Sequence, residues 1–219
     1  MALEFFWGSG SCNSWRVHLA LEIKRVPYES HLLQFSKREH KADEYLKINP
    51  RGKVPAIRDG QFTLYESLAI LQYLERRFPE PPLLGRTAEE AGLVMRQALE
   101  LIFYLEPILD RVAVPIYGGK AAEQAEAIKA AAVDLRQELS RLEAVLARTP
   151  FLVGDAISAA DCTAFPFIQQ VLRASGKEAA RPLELGFLPL EQTYPSLAAW
   201  VKRIEALPGY DRTYPPHWR

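Results

Sequence analysis

A hydroxyl and a thiol stand side by side where the first helix of the chain is predicted to begin. Ser11 and Cys12 follow Gly8-Ser9-Gly10, which is typical of a tight turn, and precede a helical pattern over residues 15–26. A helix N-terminus favours negative charge, so a serine there can donate a hydrogen bond to an anionic sulfur and a cysteine there can ionise. Ser11 is also explained as an ordinary N-cap, and Cys12 as a small neighbouring residue. These residues alone leave the choice open.

The sequence lacks the patterns that are typical of metal binding and of nucleic-acid binding. Cys12 and Cys162 are far apart in sequence, and the four histidines form no zinc-binding motif. The 27 lysines and arginines are balanced by 27 aspartates and glutamates, so the whole chain lacks the basic character of nucleic-acid-binding proteins. We therefore expect no bound metal and no nucleic-acid partner.

Membrane and secretory segments are also not indicated. No apolar run approaches the ~18 residues of a membrane helix. Residues 1–7 lack the basic region and cleavage site of a signal peptide. We expect a cytoplasmic protein with two free thiols and no membrane association.

The elements that must position these residues differ between the two halves of the chain. Residues 3–7 and 28–33 have the patterns of strands on either side of the first helix, and residues 41–48 those of a short helix. A hairpin of residues 54–57 and 62–65 follows, and then a helix from Ser67. The predicted order is βαβ-α-ββα. The crossover requires parallel strands and the hairpin antiparallel ones, which predicts an α/β domain with a mixed sheet at residues 1–80.

Residues after the proline-rich stretch at 79–85 show helical patterns alone. Thr87-Ala-Glu-Glu predicts the start of a helix that passes Tyr104, with Pro107 and Pro115 as kinks or ends. Apolar residues at helical spacing over 128–146 and 197–204 predict two further helices. Ser158 and Asp161 have the spacing of a capping box, so we interpret Asp161 as structural. An all-α bundle is expected over residues 87–219.

Several segments, in order, resemble the glutathione transferase superfamily. Ser-Cys-Asn-Ser-Trp-Arg-Val at 11–17 is similar to the zeta class, and residues 40–74, which include Asn-Pro-Arg-Gly-Lys-Val-Pro and Tyr-Glu-Ser-Leu-Ala, are similar to the phi class. Phe-Leu-Val-Gly-Asp at 151–155 and Ser-Ala-Ala-Asp at 158–161 resemble the superfamily's helical-domain signature. The resemblance implies a thioredoxin-like N-terminal domain, an all-helical C-terminal domain and a homodimer.

The resemblance also implies an activity, the attack of the glutathione thiolate on a small electrophile, as in detoxification. The superfamily's catalytic Ser, Cys or Tyr lies five residues before the Arg of an Arg-Val pair. In this chain the Arg is Arg16, so the resemblance implies that the catalytic residue is Ser11. A hydroxyl that donates to the sulfur lowers the thiol pKa. Cys12 is the rival, as a thiol that forms mixed disulfides, although cysteine-type classes place Cys where this chain has Ser11. Ser9 and Asn13 could donate to the sulfur as well.

Glutathione as co-substrate would need partners for its other groups. Val54-Pro55 matches the family's cis-proline, which would leave the Val54 backbone to pair with the cysteinyl residue. Glu66 and Ser67, at the start of a helix, would hold the γ-glutamyl ammonium and carboxylate. The candidate cations for the glycyl carboxylate include a His-Lys pair similar to that of phi-like members and a lysine beside Val54. They are His40, Lys41 and Lys53.

The electrophile leaves no local pattern, since such pockets are built from scattered apolar residues. Phe103, Tyr104 and Tyr117 are candidates for an apolar pocket where the domains meet, although core aromatic residues would look the same.

Three alternative functions remain open. They are a zeta-like glutathione-dependent cis–trans isomerase or dehalogenase, a thiol transferase acting through Cys12, and a non-catalytic interaction module.

Overall fold

The computed structural model describes residues 2–218, which divide into two compact units. One unit is formed by residues 2–86 together with residues 206–218, and the other by Thr87–Glu205. The expected helical domain at residues 87–219 therefore differs from the structure at its C-terminal end. The difference has a physical cause: Trp15 donates from Nε1 to Thr213 Oγ1 at 2.9 Å, and Arg212 forms an ion pair with Glu22. Residues far apart in sequence thus complete the first unit.

The first unit contains a four-stranded mixed sheet in the order β2-β1-β3-β4. The elements are β1 (Leu3–Trp7), α1 (Cys12–Ile23), β2 (Tyr28–Leu32), α2 (Asp43–Leu46), β3 (Ala56–Asp59), β4 (Phe62–Tyr65) and α3 (Ser67–Arg77). β1 pairs parallel with β2, whereas β3 pairs antiparallel with both β1 and β4. The predicted element order and mixed sheet are confirmed. The hairpin strand lies at 56–59 rather than 54–57, so residues 54 and 55 remain in the loop before it.

Apolar side chains pack between this sheet and the helices. Phe5 and Ile57 point from adjacent strands and are fully buried, as are Val17 and Leu21 on α1 and Ile70 on α3. This packing fixes the N-termini of α1 and α3 relative to the sheet, and both candidate functional segments lie at those two ends.

The second unit is helical, as predicted. It contains α4 (Ala88–Glu100), α5 (Glu106–Tyr117), α6 (Ala125–Leu146), α7 (Ala159–Ser175), α8 (Leu190–Thr193) and α9 (Pro195–Glu205). The short helix α10 (Tyr210–Thr213) belongs to the first unit. Leu135, Phe165, Leu197 and Trp200 are buried in the second unit's core. Within residues 2–218, no helix combines the length and the apolar character needed to cross a membrane.

Helices α4 and α5 are joined by a π-helical turn at Leu101–Leu105 rather than by a break. The N–H of Glu106 bonds to the carbonyl of Leu101, five residues earlier. Pro107 has no N–H for the carbonyl of Phe103, and its ring would clash with that carbonyl in a regular α-helix. The wider turn accommodates the proline without ending the helix.

Candidate active site

Ser11 lies at the end of a tight turn and caps α1. The Ser11 N–H donates to the Gly8 carbonyl at 3.2 Å, and Gly10 adopts φ +79°, which favours glycine at the third position of such a turn. The Ser11 Oγ accepts from the N–H of Ser14 at 3.2 Å. Within residues 2–218, the Ser11 hydroxyl donates its hydrogen to no acceptor. Ser11 is therefore an N-cap that keeps a half-buried donor available, so the two interpretations of this residue are compatible.

Cys12 is the first residue of α1, and its half-buried thiol forms no disulfide within the described residues. Its position in the first helical turn favours the thiolate. The same helix end thus presents a serine hydroxyl, which can donate a hydrogen bond to a bound sulfur, and a cysteine thiol, which can itself react.

A buried arginine connects the N-termini of α1 and α3. Arg16 is 1% exposed and donates from Nη1 to Ser67 Oγ at 2.6 Å. Ser67 donates in turn to Asn13 Oδ1 at 3.2 Å. Asn13 and Ser67 are therefore brought together, but their side chains are bonded to each other. The sequence predicted that Arg16 packs or pairs structurally, but not its partner, which is 51 residues away.

The N-terminus of α3 lacks a side-chain cap. Ser67, expected to cap this helix, is instead its first helical residue, and the cap position is taken by Glu66 with φ 68° and no capping hydrogen bond. Within residues 2–218, the N–H groups of Ser67, Leu68 and Ala69 have no partner. An uncapped helix N-terminus binds anions, because several N–H groups point at one place and the helix dipole favours negative charge.

The Glu66 side chain is 70% exposed, and its Oε1 lies 3.9 Å from Arg51 Nε. It is therefore accessible to a positively charged group that approaches the start of α3. A surface ion pair of this kind contributes little to stability.

The loop before β3 presents the Val54 backbone. The Val54–Pro55 bond is cis, as the resemblance implies. In the described part of the chain, the N–H and C=O of Val54 have no hydrogen-bond partner. The loop is held by the carbonyl of Lys53, which accepts from Tyr45 Oη at 2.5 Å and from Asn49 Nδ2 at 2.6 Å. A rigid loop with a free N–H and C=O can pair with an extended peptide.

The three candidate cations occupy different environments. Lys41 donates from Nζ to the Gly52 carbonyl at 2.6 Å, so its ammonium supports the loop. Lys53 has an exposed side chain. The His40 ring packs edge-on against Phe35, and burial, Lys41 and Arg38 lower its pKa, which favours the neutral form. Lys53 is thus the best placed of the three to bind an anion.

Among the residues that the structure describes, one group of side chains lies close enough together to hold a metal ion. Ligand atoms of Glu4, Glu29 and His31 lie within 4.8 Å of one another at the β1–β2 edge. Both Glu4 oxygens already accept from Arg58, at 2.5 and 2.6 Å. The trio therefore fits a cation poorly.

The three aromatic candidates lie in the second unit. Phe103 and Tyr104 are exposed on the π-helical turn, at 66% and 60%. Tyr104 lines a cavity of about 300 Å³ between α4 and α6. Tyr117 lines a different cavity and donates to the Gln170 carbonyl at 3.3 Å. Tyr104 and Tyr117 therefore do not share a single pocket.

Sequence reasoning missed the contacts of Ser9. Its Oγ lies 2.5 Å from Nδ1 of His217, at the other end of the chain. No local signal in the sequence indicates a contact across 208 positions.

Comparisons with known proteins show which family this chain is similar to. Residues 8–82 match the glutathione S-transferase N-terminal domain model and residues 105–208 match the C-terminal domain model. Glutathione S-transferase A of Pleuronectes platessa is 30% identical over 99% of this chain and 92% of its own length. Glutathione S-transferase theta-1 of Rattus norvegicus is 30% identical over 96% of this chain and 85% of its own.

Solved structures show the same fold. A glutathione S-transferase from the Antarctic clam Laternula elliptica is 28% identical, with a TM-score of 0.82 over 100% of this chain and 94% of that one. A family member from Pseudomonas fluorescens with two glutathione molecules bound is 22% identical, with a TM-score of 0.82 over 97% of this chain and 92% of that one. The chain belongs to the glutathione S-transferase family of enzymes.

Proposed function

We propose that this chain binds glutathione at the N-termini of α1 and α3 and uses Ser11 to stabilise the thiolate for attack on a small electrophile. The observation that carries the proposal is the half-buried Ser11 hydroxyl, whose hydrogen has no acceptor within residues 2–218. A hydrogen bond to the charged form of a thiol lowers its pKa. The N-terminus of α1 favours the same charge.

The reaction needs no metal in this proposal. The thiol proton leaves to solvent, the sulfur lone pair forms the bond to the electrophilic carbon, and that carbon's leaving group departs with its bonding electrons. Ser11 keeps its proton throughout and acts only as a hydrogen-bond donor. Its contribution is to raise the fraction of thiolate at neutral pH.

The remaining groups of glutathione match the other open positions. The γ-glutamyl carboxylate fits the uncapped N-terminus of α3, and its ammonium fits the exposed Glu66 carboxylate. The cysteinyl backbone fits the free N–H and C=O of Val54. Lys53 is the proposed partner of the glycyl carboxylate and His40 is a second candidate, while Lys41 supports the loop.

For the electrophile we propose a small apolar compound bound by exposed aromatic side chains of the second unit. Phe103 and Tyr104 are the better candidates, because the π-helical turn leaves both rings exposed. The hydroxyl of Tyr117 is already bonded to the helix backbone at Gln170.

Two matched variants test the catalytic proposal. In a conjugation assay, Ser11→Ala should reduce kcat by about 100-fold, the scale expected when a donor to a developing anion is removed. Cys12→Ala should leave kcat within about twofold. If Cys12→Ala abolishes activity and Ser11→Ala does not, the serine mechanism is wrong and the protein is a cysteine-type thiol transferase.

Calorimetric titration with glutathione separates the enzyme from an interaction module, which need not bind it. Parallel assays of conjugation, isomerisation, dehalogenation and disulfide reduction then identify the reaction. The homodimer and the cytoplasmic location also remain proposals. Sedimentation analysis tests the homodimer, and fractionation of cells tests the location.

A further inference from the structure

The C-terminal segment of the chain is anchored along α1. Arg212 donates from Nε to Glu22 Oε2 at 2.9 Å, and Trp15 donates to Thr213 Oγ1 at 2.9 Å. The Trp15 ring also packs edge-on against Trp218, with a centroid distance of 5.4 Å. These contacts place the last described residues beside the turn that precedes Ser11.

His217 lies directly over that turn. A Cβ atom added to Gly10 would lie 2.8 Å from His217 Cε1 and 3.3 Å from its Nε2. Two features disfavour a side chain at position 10. They are the φ of +79° and the close approach of the imidazole. The ring thus packs against Ser9 and Gly10 of the turn.

A chain of hydrogen bonds fixes the tautomer of His217. Trp218 Nε1 lies 3.0 Å from His217 Nε2, and an indole nitrogen can only donate, so Nε2 is the acceptor. A neutral imidazole then carries its proton on Nδ1. Nδ1 lies 2.5 Å from Ser9 Oγ, so it donates to that oxygen. The hydrogen of the Ser9 hydroxyl must therefore point away from His217.

We infer that Trp218 and His217 orient the Ser9 hydroxyl as a second donor to the glutathione sulfur, beside Ser11. The inference rests on the proposed function and extends it to a part of the chain outside the glutathione-binding motifs. Ser9 and Ser11 belong to one turn, so a sulfur bound at the start of α1 can meet both. His217 does not touch the sulfur and is a positioning residue.

The test is the pKa of the thiol of bound glutathione, measured by ultraviolet thiolate absorbance against pH. Ser9→Ala and His217→Ala should each raise that pKa by about one, the scale of one hydrogen bond to a charged group. The double variant should raise it no further, because both changes remove the same donor. His217→Asn, whose amide N–H can replace Nδ1–H, should restore most of the effect.

Two ring variants separate this role from packing. Trp218→Phe keeps an aromatic ring beside Trp15 but loses the N–H that fixes the tautomer, so the thiol pKa should rise. Tyr214→Phe changes another ring that packs against Trp15, and the thiol pKa should stay unchanged. Thermal unfolding confirms that each variant is folded. If His217→Ala does not fold, Ser9→Ala and Trp218→Phe carry the test.

The failure of this inference is distinguishable from the failure of the proposed function. If Ser11→Ala raises the thiol pKa and Ser9→Ala does not, the inference is wrong and the serine mechanism stands. Additive effects of Ser9→Ala and His217→Ala would also overturn it. If the unmodified protein binds no glutathione, both proposals fail.

Discussion

The N-termini of α3 and α7 begin with similar residues but satisfy their backbones in opposite ways. At α7, Ser158 and Asp161 form a complete capping box, and Asp161 is fully buried. Its carboxylate accepts hydrogen bonds from Leu152 N–H, Ser158 N–H, Ser158 Oγ and Trp200 Nε1, all at 2.8–2.9 Å. At α3, the Ser67 hydroxyl is bonded to Arg16 and Asn13, and no described residue accepts from the first N–H groups.

We propose that this difference distinguishes a helix end that only stabilises the fold from one that binds a ligand. A buried polar group without a partner costs about 1–3 kcal/mol, so proteins satisfy such groups internally unless a ligand or water does so. At the α7 end, the polar groups of the capping box are bonded to one another. The α3 end keeps donors that an incoming carboxylate can use, and a glutathione transferase has a substrate with that group.

The largest expected effect comes from breaking the closed end. Asp161→Ala removes the acceptor of four buried donors, so it should lower the free energy of unfolding by about 4 kcal/mol, more than a cap alone contributes. Asp161→Asn keeps one acceptor oxygen and should cost about half as much. Urea unfolding measures both. A loss below about 1 kcal/mol for Asp161→Ala would show that these four hydrogen bonds do not stabilise this helix end.

Acid stability should depend on His18, whose burial lowers its pKa to about 4. The unfolded chain binds a proton near pH 6.5 and the folded chain does not, so stability falls as pH decreases from 6.5 to 4, by about 3 kcal/mol. His18→Phe should remove this loss, whereas the control His31→Gln, at a partly exposed strand position, should keep it.

Urea unfolding at a series of pH values checks this expectation. The measurement also serves the comparison of the two helix ends. Acid unfolding of the first unit would lower glutathione binding, and without this control that loss would be mistaken for protonation of groups at the α3 N-terminus. An equal acid loss in His18→Phe and in the unmodified protein would contradict the assignment.

A smaller effect is expected at the open end. Glu66→Gln should weaken glutathione binding about tenfold, since it removes a charged partner of the γ-glutamyl ammonium. Stability should stay within about 0.5 kcal/mol, because the side chain is mostly exposed. Glutaryl-Cys-Gly, which lacks the ammonium, is the matched ligand and should bind both proteins equally by calorimetry. A similar loss for both ligands would exclude this pairing.

Local signals in the sequence predicted the parts of the molecule that depend on neighbouring residues. The capping box at Ser158, the βαβ order and the helical second unit are examples. Ser67 was expected to cap α3, but a buried arginine from α1 bonds its hydroxyl and shifts the cap to Glu66. Only tertiary structure brings those two helices together, so no pattern within either helix could show it.

Other differences have the same origin. The C-terminal segment packs on α1 through Trp15 and Thr213, which are 198 positions apart. Lys41 looked like a free cation, yet the fold of its loop brings the Gly52 carbonyl to its ammonium. Pro107 within a helical pattern predicts a kink or an end of the helix. The structure instead continues the helix through a π-helical turn.

The pKa of the thiol of bound glutathione, with and without the Ser11 hydroxyl, tests the central claim most directly. In the unmodified protein it should lie well below the ~8.5 of a free cysteine thiol, and in Ser11→Ala it should rise by about one to two. The same value in both proteins, at equal occupancy by glutathione, would contradict the account.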